Sequence, residues 1–337
     1  VVIARGPGSG SSPRERHPAR GCGRDAHLRP ARVHGGAARA QGAANTIKIG
    51  VLTDMSGTYR DITGPTAVAC TRQAIQDFGP TPFQVEVLVA DHQNRPDVAV
   101  AVARQWFDRD GVDAVVDVPN SAVALAVAGI AQEKDKVCIA SGAATADLTG
   151  PRCTPNTVHW GFDTYMLARS TGGALVEAGK ESWFFLVSDY ALGHALQRDA
   201  TATVEAGGGR VLGSAAFPGE TGDFSALLLR ARASGAEVVG LACTGAPFET
   251  LVKQAAEFGL ARGGQRLAAL LCLVTNVHAI GLADAQGLLV TAPFYWDLDA
   301  GTRAFAARFM PRNRGIAPTL VHAGVYSATT HLLRAAG

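Results

Sequence analysis

From Ile47 onward the chain alternates between two hydrophobic periods. Short, nearly continuous apolar runs such as "IKIGVL", "FQVEVLVAD", "VDAVVDVP" and "KVCIASG" are separated by stretches with apolar residues every three to four positions. The first kind reads as strands buried on both faces, and the second as the helices that cover them. The spacing predicts helices over 64–78, 96–109, "SAVALAVAGIAQEKD", 191–206, 223–234 and 248–259. Further strands are predicted in "SWFFLVSD", "GRVLGSAAFP", "AEVVGLACT" and "RLAALLCLV". "LAALLCLVTNVHAIGL" is the most apolar stretch, but Asn276 and His278 interrupt it. It reads as a strand followed by a helix, because a membrane span needs roughly 18 apolar residues.

The fold class is therefore α/β, and 337 residues with this many strand–helix units point to two doubly wound lobes joined by a hinge. Lobe 1 is expected over 45–160 and 292–337, and lobe 2 over 161–291. The first lobe should hold four strand–helix units, to about His159. "TVHWGFDTYMLARSTGGAL" then reads as a crossover into a helix and "TAPFYWDLD" as the crossing back. "TRAFAARFMPRN" and "PTLVHAGVYSATTHLLRAAG" supply two more helices. No closing strand follows, so the C-terminus reads as truncated and lobe 2 as incomplete.

Composition changes the picture only at the N-terminus. Residues 1–44 hold eight Arg against two acids, about +6, so a chain of net charge +2 carries about −4 elsewhere. This segment is mostly Gly, Ala, Arg, Pro and Ser with no apolar periodicity, and cannot bury enough surface to offset its ordering entropy. It lacks the 7–15-residue apolar centre of a secretion signal, although "AARAQGAA" resembles the small-residue end of one. Residues 1–44 are expected to be disordered or non-native, with the mature protein starting near Asn45.

The six cysteines, Cys22, Cys70, Cys138, Cys153, Cys243 and Cys272, form no C-x-x-C pair, and the nine histidines show no ligand spacing. No metal and no cofactor is expected. G-x-S-x-G, G-x-G-x-x-G and H-E-x-x-H are absent, and "EAGKES" lacks the first glycine and the hydroxyl of a phosphate loop. Ser56 in "DMSGT" thus lacks the frame of a nucleophile turn, and an enzyme has little support.

What recurs instead is polar residues at the carboxyl ends of strands, where open α/β sheets bind ligands. Ser56 and Tyr59 follow the first strand, Asp91 and Gln93 the second, and Asn120 and Ser121 the third. Ser141, Ala143, Ala144 and Thr145 follow the fourth; Tyr190 and Thr244 follow strands of the second lobe. Hydroxyls and free N–H groups at helix starts suit a carboxylate. They equally suit local structure, with Ser121 as a helix cap and Thr145 as a turn residue.

At these residues the chain resembles the leucine/isoleucine/valine-type periplasmic solute-binding proteins of ABC importers. "IGVLTDMSGTYRDITGP", "VPNSAVALAVAGIAQE", "IASGAATADLTG", "FLVSDYALGHAL" and "KQAAEFGL" carry the resemblance, in order, over 45–337. "NTVHWGFDTYMLA", "TNVHAIGL" and "APFYWDLDAGTRAF" are similar to a branch associated with aromatic acids. The resemblance implies the type I periplasmic binding fold, a three-strand hinge, and a family chain continuing past Gly337. It also raises a disulfide from Cys153 to a cysteine in that continuation.

Carried over by motif, the carboxylate-holding positions fall on Ser121, Ala143 and Thr145, with the first-loop aromatic at Tyr59. In "D-Y-A-x-G" Tyr190 is kept, while Leu192 stands where an aromatic is usual. The acid that would hold an ammonium falls near Asn276, and a neutral amide offers no charge-assisted bond. This favours a carboxylate with an apolar or phenolic body over an α-amino acid. Tyr295 and Trp296 are candidates for an aromatic wall, with hinge packing the other reading for Trp296. The implied partners are a small carboxylate and an inner-membrane ABC permease. A monomer in the periplasm is expected, with no nucleic acid. The alternatives are a branched-chain amino acid or amide binder, or a cytoplasmic ligand-sensing regulator of the same fold.

Overall fold

The computed structural model describes Val2–Ala4 and residues 45–337. The expectation about the rest of 1–44 lies outside the described residues. Val2–Ala4 (β1) pair in parallel with Leu289–Thr291.

The first sheet is wholly parallel. Its strands are β2 (Thr46–Thr53), β3 (Gln84–Asp91), β4 (Ala114–Asp117), β5 (Val137–Ala140) and β6 (Thr157–His159), in the order β3-β2-β4-β5-β6. Helices α1 (Gly64–Phe78), α2 (Pro96–Gln105) and α3 (Ser121–Glu133) connect them. The second sheet repeats the plan with β7 (Ser182–Ser188), β8 (Arg210–Phe217), β9 (Val238–Ala242), β10 (Arg266–Ala269) and β11 (Leu289–Thr291). Its order is β8-β7-β9-β10-β11, with β1 at the edge. Its helices are α4 (Thr164–Glu177), α5 (Ala191–Ala206), α6 (Ser225–Ala233), α7 (Ala246–Glu257) and α8 (Val274–Ile280). Two further helices, α9 (Ala300–Phe309) and α10 (Leu320–Ala336), return to the first lobe, where α10 packs along α1. Residues 160–163 and 292–299 make the two crossings.

The apolar runs form strands because both faces are covered. Every residue of β4, β7 and β9 is buried. Trp183, Phe185, Leu196 and Val204 pack on one face of the second sheet, and Phe217, Phe224 and Phe248 on the other. Asp77 takes hydrogen bonds from Arg308 and Tyr326, and so holds α9 and α10 to α1. His322 is buried in the same seam. Its Nδ1 accepts from the Thr319 N–H at 3.0 Å, and Nε2 lies 2.8 Å from Thr66 Oγ1. Burial pushes its pKa down to about 4, so it stays a neutral imidazole with its proton on Nε2.

Two elements differ from the sequence pattern. Thr157–His159, expected within a crossover, forms a fifth strand of the first lobe. It is only three residues long, too short to show a period of two. The helix expected over 96–109 is α-helical only to Gln105 and continues as a π-helical turn over Trp106–Asp110. The wider turn directs Trp106 and Phe107 into the core.

In both sheets the first strand of the lobe lies between the second and third. The strand order therefore reverses between β2 and β4 and again between β7 and β9, and each reversal opens a crevice at the carboxyl edge. The two crevices face each other.

Candidate functional site

The first wall is wound around one carboxylate. Asp54 follows β2 and is fully buried. It accepts from the N–H groups of Ser56 (3.3 Å), Gly57 (2.7 Å) and Tyr59 (2.8 Å), and from Asn94 Nδ2 (2.6 Å). Three backbone donors on one side chain fix the loop as a closed turn. Ser56 points away from the cleft, its hydroxyl donating to Asp91 at 2.6 Å. Tyr59 points into the cleft and is 6% exposed. Asp54→Asn would set an amide N–H₂ against these donors. The expected cost is about 1–3 kcal/mol of stability, with weaker ligand binding because Tyr59 is released. Thermal melting and ligand titration of the variant check both effects.

The opposite wall uses the corresponding loop of lobe 2. Tyr190 follows β7, and its hydroxyl lies 2.5 Å from that of Tyr59. Burial raises both phenols, Tyr190 to about 12, so both stay protonated. One hydroxyl donates to the other, and the second retains a proton for another acceptor.

Between these walls the chain leaves β4 under strain. Asp117 and Val118 have φ of 79° and 51°, and a positive φ is an outlier for β-branched valine. The Val118 N–H donates to Leu52 O, while Asp117 O accepts from Ser141 and Gly142, so neighbouring strands hold the turn. Such strain concentrates at binding and catalytic sites. Gly142 is needed here, because a Cβ would lie 2.7 Å from Asp117 Oδ1 and 2.8 Å from Pro119 Cα.

The residues expected to form a site part into three groups. Tyr59, Ala144 and Thr244 line one cavity between the lobes, together with Ile62, Pro119, Gly142, Phe162, Leu192, Leu271, Leu273 and Val321. Its volume is about 20 Å³, and no charged side chain lines it. Ser141 and Ala143 are sequence neighbours of its lining residues, Ser121 lies two positions beyond Pro119, and Tyr190 adjoins it through Tyr59. The hydroxyls of Ser121, Ser141 and Thr244 are buried without a protein partner.

The second group serves local structure. The cap of α3 is Asn120 and not Ser121: its Oδ1 accepts from the N–H groups of Ala122 and Val123. Thr145 Oγ1 accepts from the Asp147 N–H and starts a short 3₁₀ turn.

The third group lies elsewhere. Asn276 Oδ1 accepts from the Leu273 N–H, and its Nδ2 donates to Glu249 at 2.7 Å, so both ends are engaged at the start of α8. Tyr295 is beside Trp296, with ring centroids 5.9 Å apart, and lines a separate apolar cavity with Phe294 and Leu320. Sequence reasoning missed most of the aliphatic lining, which comes singly from separate elements. It also missed Asp54, for which the Asp-x-Ser-Gly turn spacing is a usable signal. A larger open groove of about 820 Å³ sits at the amino-terminal edge of β10, away from the strand ends that bind ligands in this architecture. Among the described residues no cluster of His, Cys, Asp and Glu is arranged to hold a metal, and Cys70, Cys138, Cys153, Cys243 and Cys272 are free.

Two facing α/β lobes with a cleft at their switch points define a class of ligand-binding proteins, and the comparisons agree. A family model described as "Periplasmic binding protein" matches residues 46–337, and the chain belongs to that family. It is similar to a periplasmic binding protein from Burkholderia mallei, at 43% identity and TM-score 0.83, over 86% of this chain and 78% of that one. It is also similar to a branched-chain amino acid ABC transporter periplasmic ligand-binding protein from Burkholderia xenovorans, at 38% identity and TM-score 0.75, with the same coverage. A solute-binding protein from R. palustris in complex with 4-hydroxybenzoate shares the fold at 24% identity and TM-score 0.78, over 86% of this chain and 80% of that one. No curated protein matches the chain.

Proposed function

We propose that this chain is the substrate-binding component of an ABC importer. It captures a small carboxylate, an aromatic acid, between its lobes in the periplasm and presents it to an inner-membrane permease as a monomer. It performs no chemistry. One observation carries the ligand reading: the buried, unpartnered hydroxyl of Thr244 lines a cavity without charged side chains, and the equally buried and unpartnered hydroxyls of Ser121 and Ser141 belong to residues within two positions of its lining residues Pro119 and Gly142. Hydroxyl donors satisfy a carboxylate, an apolar wall covers its body, and an ammonium finds no acid on the surface. Asn276, the residue expected nearest that ammonium, is engaged by Leu273 and Glu249.

A cavity of about 20 Å³ holds roughly one water molecule, so an aromatic ring enters only when the lobes part. The bond between Tyr59 and Tyr190 is then broken or bridged by ligand. Binding would stabilise one degree of closure, which the permease reads.

A branched-chain amino acid is the second reading, favoured by the aliphatic side chains Ile62, Leu192, Leu271 and Leu273 in the lining. A thermal-shift series separates the two. Benzoate and 4-hydroxybenzoate are expected to raise the melting temperature in proportion to ln concentration, and leucine and valine to leave it unmoved. A response to the amino acids alone would overturn the aromatic reading.

A further inference from the structure

The Asp117 carboxylate lies beside the cleft without lining it. It ends β4 at the switch point and is fully buried. Oδ2 accepts from the Thr63 hydroxyl at 2.6 Å, whereas Oδ1 is buried with no partner. That free oxygen is directed at Gly142, where a Cβ would stand 2.7 Å from it, and Gly142 lines the cavity. One glycine of backbone thus separates a buried carboxylate from the proposed ligand. We infer that Asp117 couples binding to protons: an anionic ligand is held most tightly when Asp117 is protonated, and its arrival at neutral pH draws a proton onto that carboxyl. The inference rests on reading the cleft as a carboxylate site.

The surroundings favour this coupling. The titratable groups that face Asp117 are Asp54 from the end of β2 and Cys70 from α1; Thr53 and Thr63 are its neutral polar neighbours. Cys70 is a neutral thiol, raised well above its ordinary value by burial and by Asp117 itself. Among the described residues no Lys, Arg or His pairs with Asp117. Burial first, with a smaller push from Asp54, raises the Asp117 carboxyl to about 6, against the opposing pull of the Thr63 and Thr53 hydroxyls. Near pH 7 the group is therefore mostly ionised but readily protonated. A second negative charge across Gly142 is poorly screened there and raises the carboxyl further.

The linkage has a definite sign. A bound anion raises the pKa of Asp117, so the complex binds more protons than the free protein, and affinity falls as pH rises through that window. Benzoate, ionised throughout, is expected to bind about tenfold more weakly at pH 8 than at pH 5.5. Titration calorimetry near pH 7 in buffers of different ionisation enthalpy should show uptake of a substantial fraction of a proton per benzoate. Asp117→Asn keeps the shape, and asparagine tolerates the positive φ. It should bind benzoate with a flat pH profile and no uptake. A ligand-free readout accompanies this. Because the folded carboxyl is raised, wild type loses stability relative to the variant as pH climbs from about 4 to 6. The melting-temperature difference should grow by several degrees in the variant's favour and then level off.

Benzoate binding with pH-independent affinity and no proton uptake in the wild type would overturn the coupling, and needs no variant. Absence of benzoate binding at every pH would instead remove the carboxylate reading beneath it. In that case the melting difference still reports whether Asp117 titrates in the folded protein.

Discussion

Replacing Ser121 and Ser141 together by alanine is expected to weaken benzoate binding by about 100-fold or more while leaving the melting temperature unchanged or slightly raised. The two effects have one cause. Both hydroxyls are buried and neither has a hydrogen-bond partner within the protein. A buried hydroxyl without a partner costs stability, so its removal costs the fold nothing and relieves desolvation. A hydrogen bond to a charged group contributes about 1.5–3 kcal/mol, and two lost together correspond to at least 100-fold in affinity. A structural role would give the reverse pattern, a lower melting temperature with affinity retained in the folded fraction. Thr145→Ala is the internal comparison. Its hydroxyl caps the Asp147 N–H, so the expected loss is about 1 kcal/mol of stability with a smaller effect on binding. Near-wild-type affinity in the double variant would mean that the ligand is held by other groups.

The contrast between Ser121 and Asn120 shows where the sequence stops being legible. Both residue types cap helices and they are adjacent, so composition and spacing cannot say which side chain takes the first N–H groups of the helix and which is left buried without a partner. Backbone register decides it, and that register is set by the strained Asp117–Val118 turn. Asn276 presents the same problem. Its position after a strand suits ligand contact, yet three residues of separation also let Oδ1 reach the Leu273 N–H, and local geometry prevails. By contrast, the elements themselves were readable, because strands buried on both faces and helices with one buried stripe leave different periods. The pattern bounded α1 at 64–78 and α5 at 191–206, and it placed Tyr59 and Tyr190 on corresponding loops. The apolar lining of the cavity is not readable. Ile62, Phe162 and Leu271 lie in three separate loops and Val321 in α10, and each is indistinguishable in sequence from ordinary core.

The glycine of "DYALG" is legible only with the structure in hand, and it carries the largest expected effect on stability. Gly193 lies in the first turn of α5, where a Cβ would stand 2.0 Å from Ser188 O, 2.9 Å from Ser188 C and 3.1 Å from Ala242 O. These carbonyls end β7 and β9, the two strands that flank the switch point of lobe 2. They cannot retreat cheaply, because the Ser188 carbonyl also accepts the Tyr190 N–H at 2.8 Å. Gly193→Ala must therefore lift α5 from the sheet edge, opening the packing of Leu192 and Leu196 against the core. A gain of a few tenths to 1 kcal/mol in helix propensity is small beside this. The expected loss exceeds about 4 kcal/mol, seen as a melting temperature lower by roughly 10 °C or more, or as insoluble protein. Tyr190 and Leu192 flank the displaced turn, so any folded fraction should also bind benzoate more weakly. An alanine variant melting within about 2 °C of wild type would mean that α5 stands clear of the strand ends, and Tyr190 would then lose its fixed place opposite Tyr59.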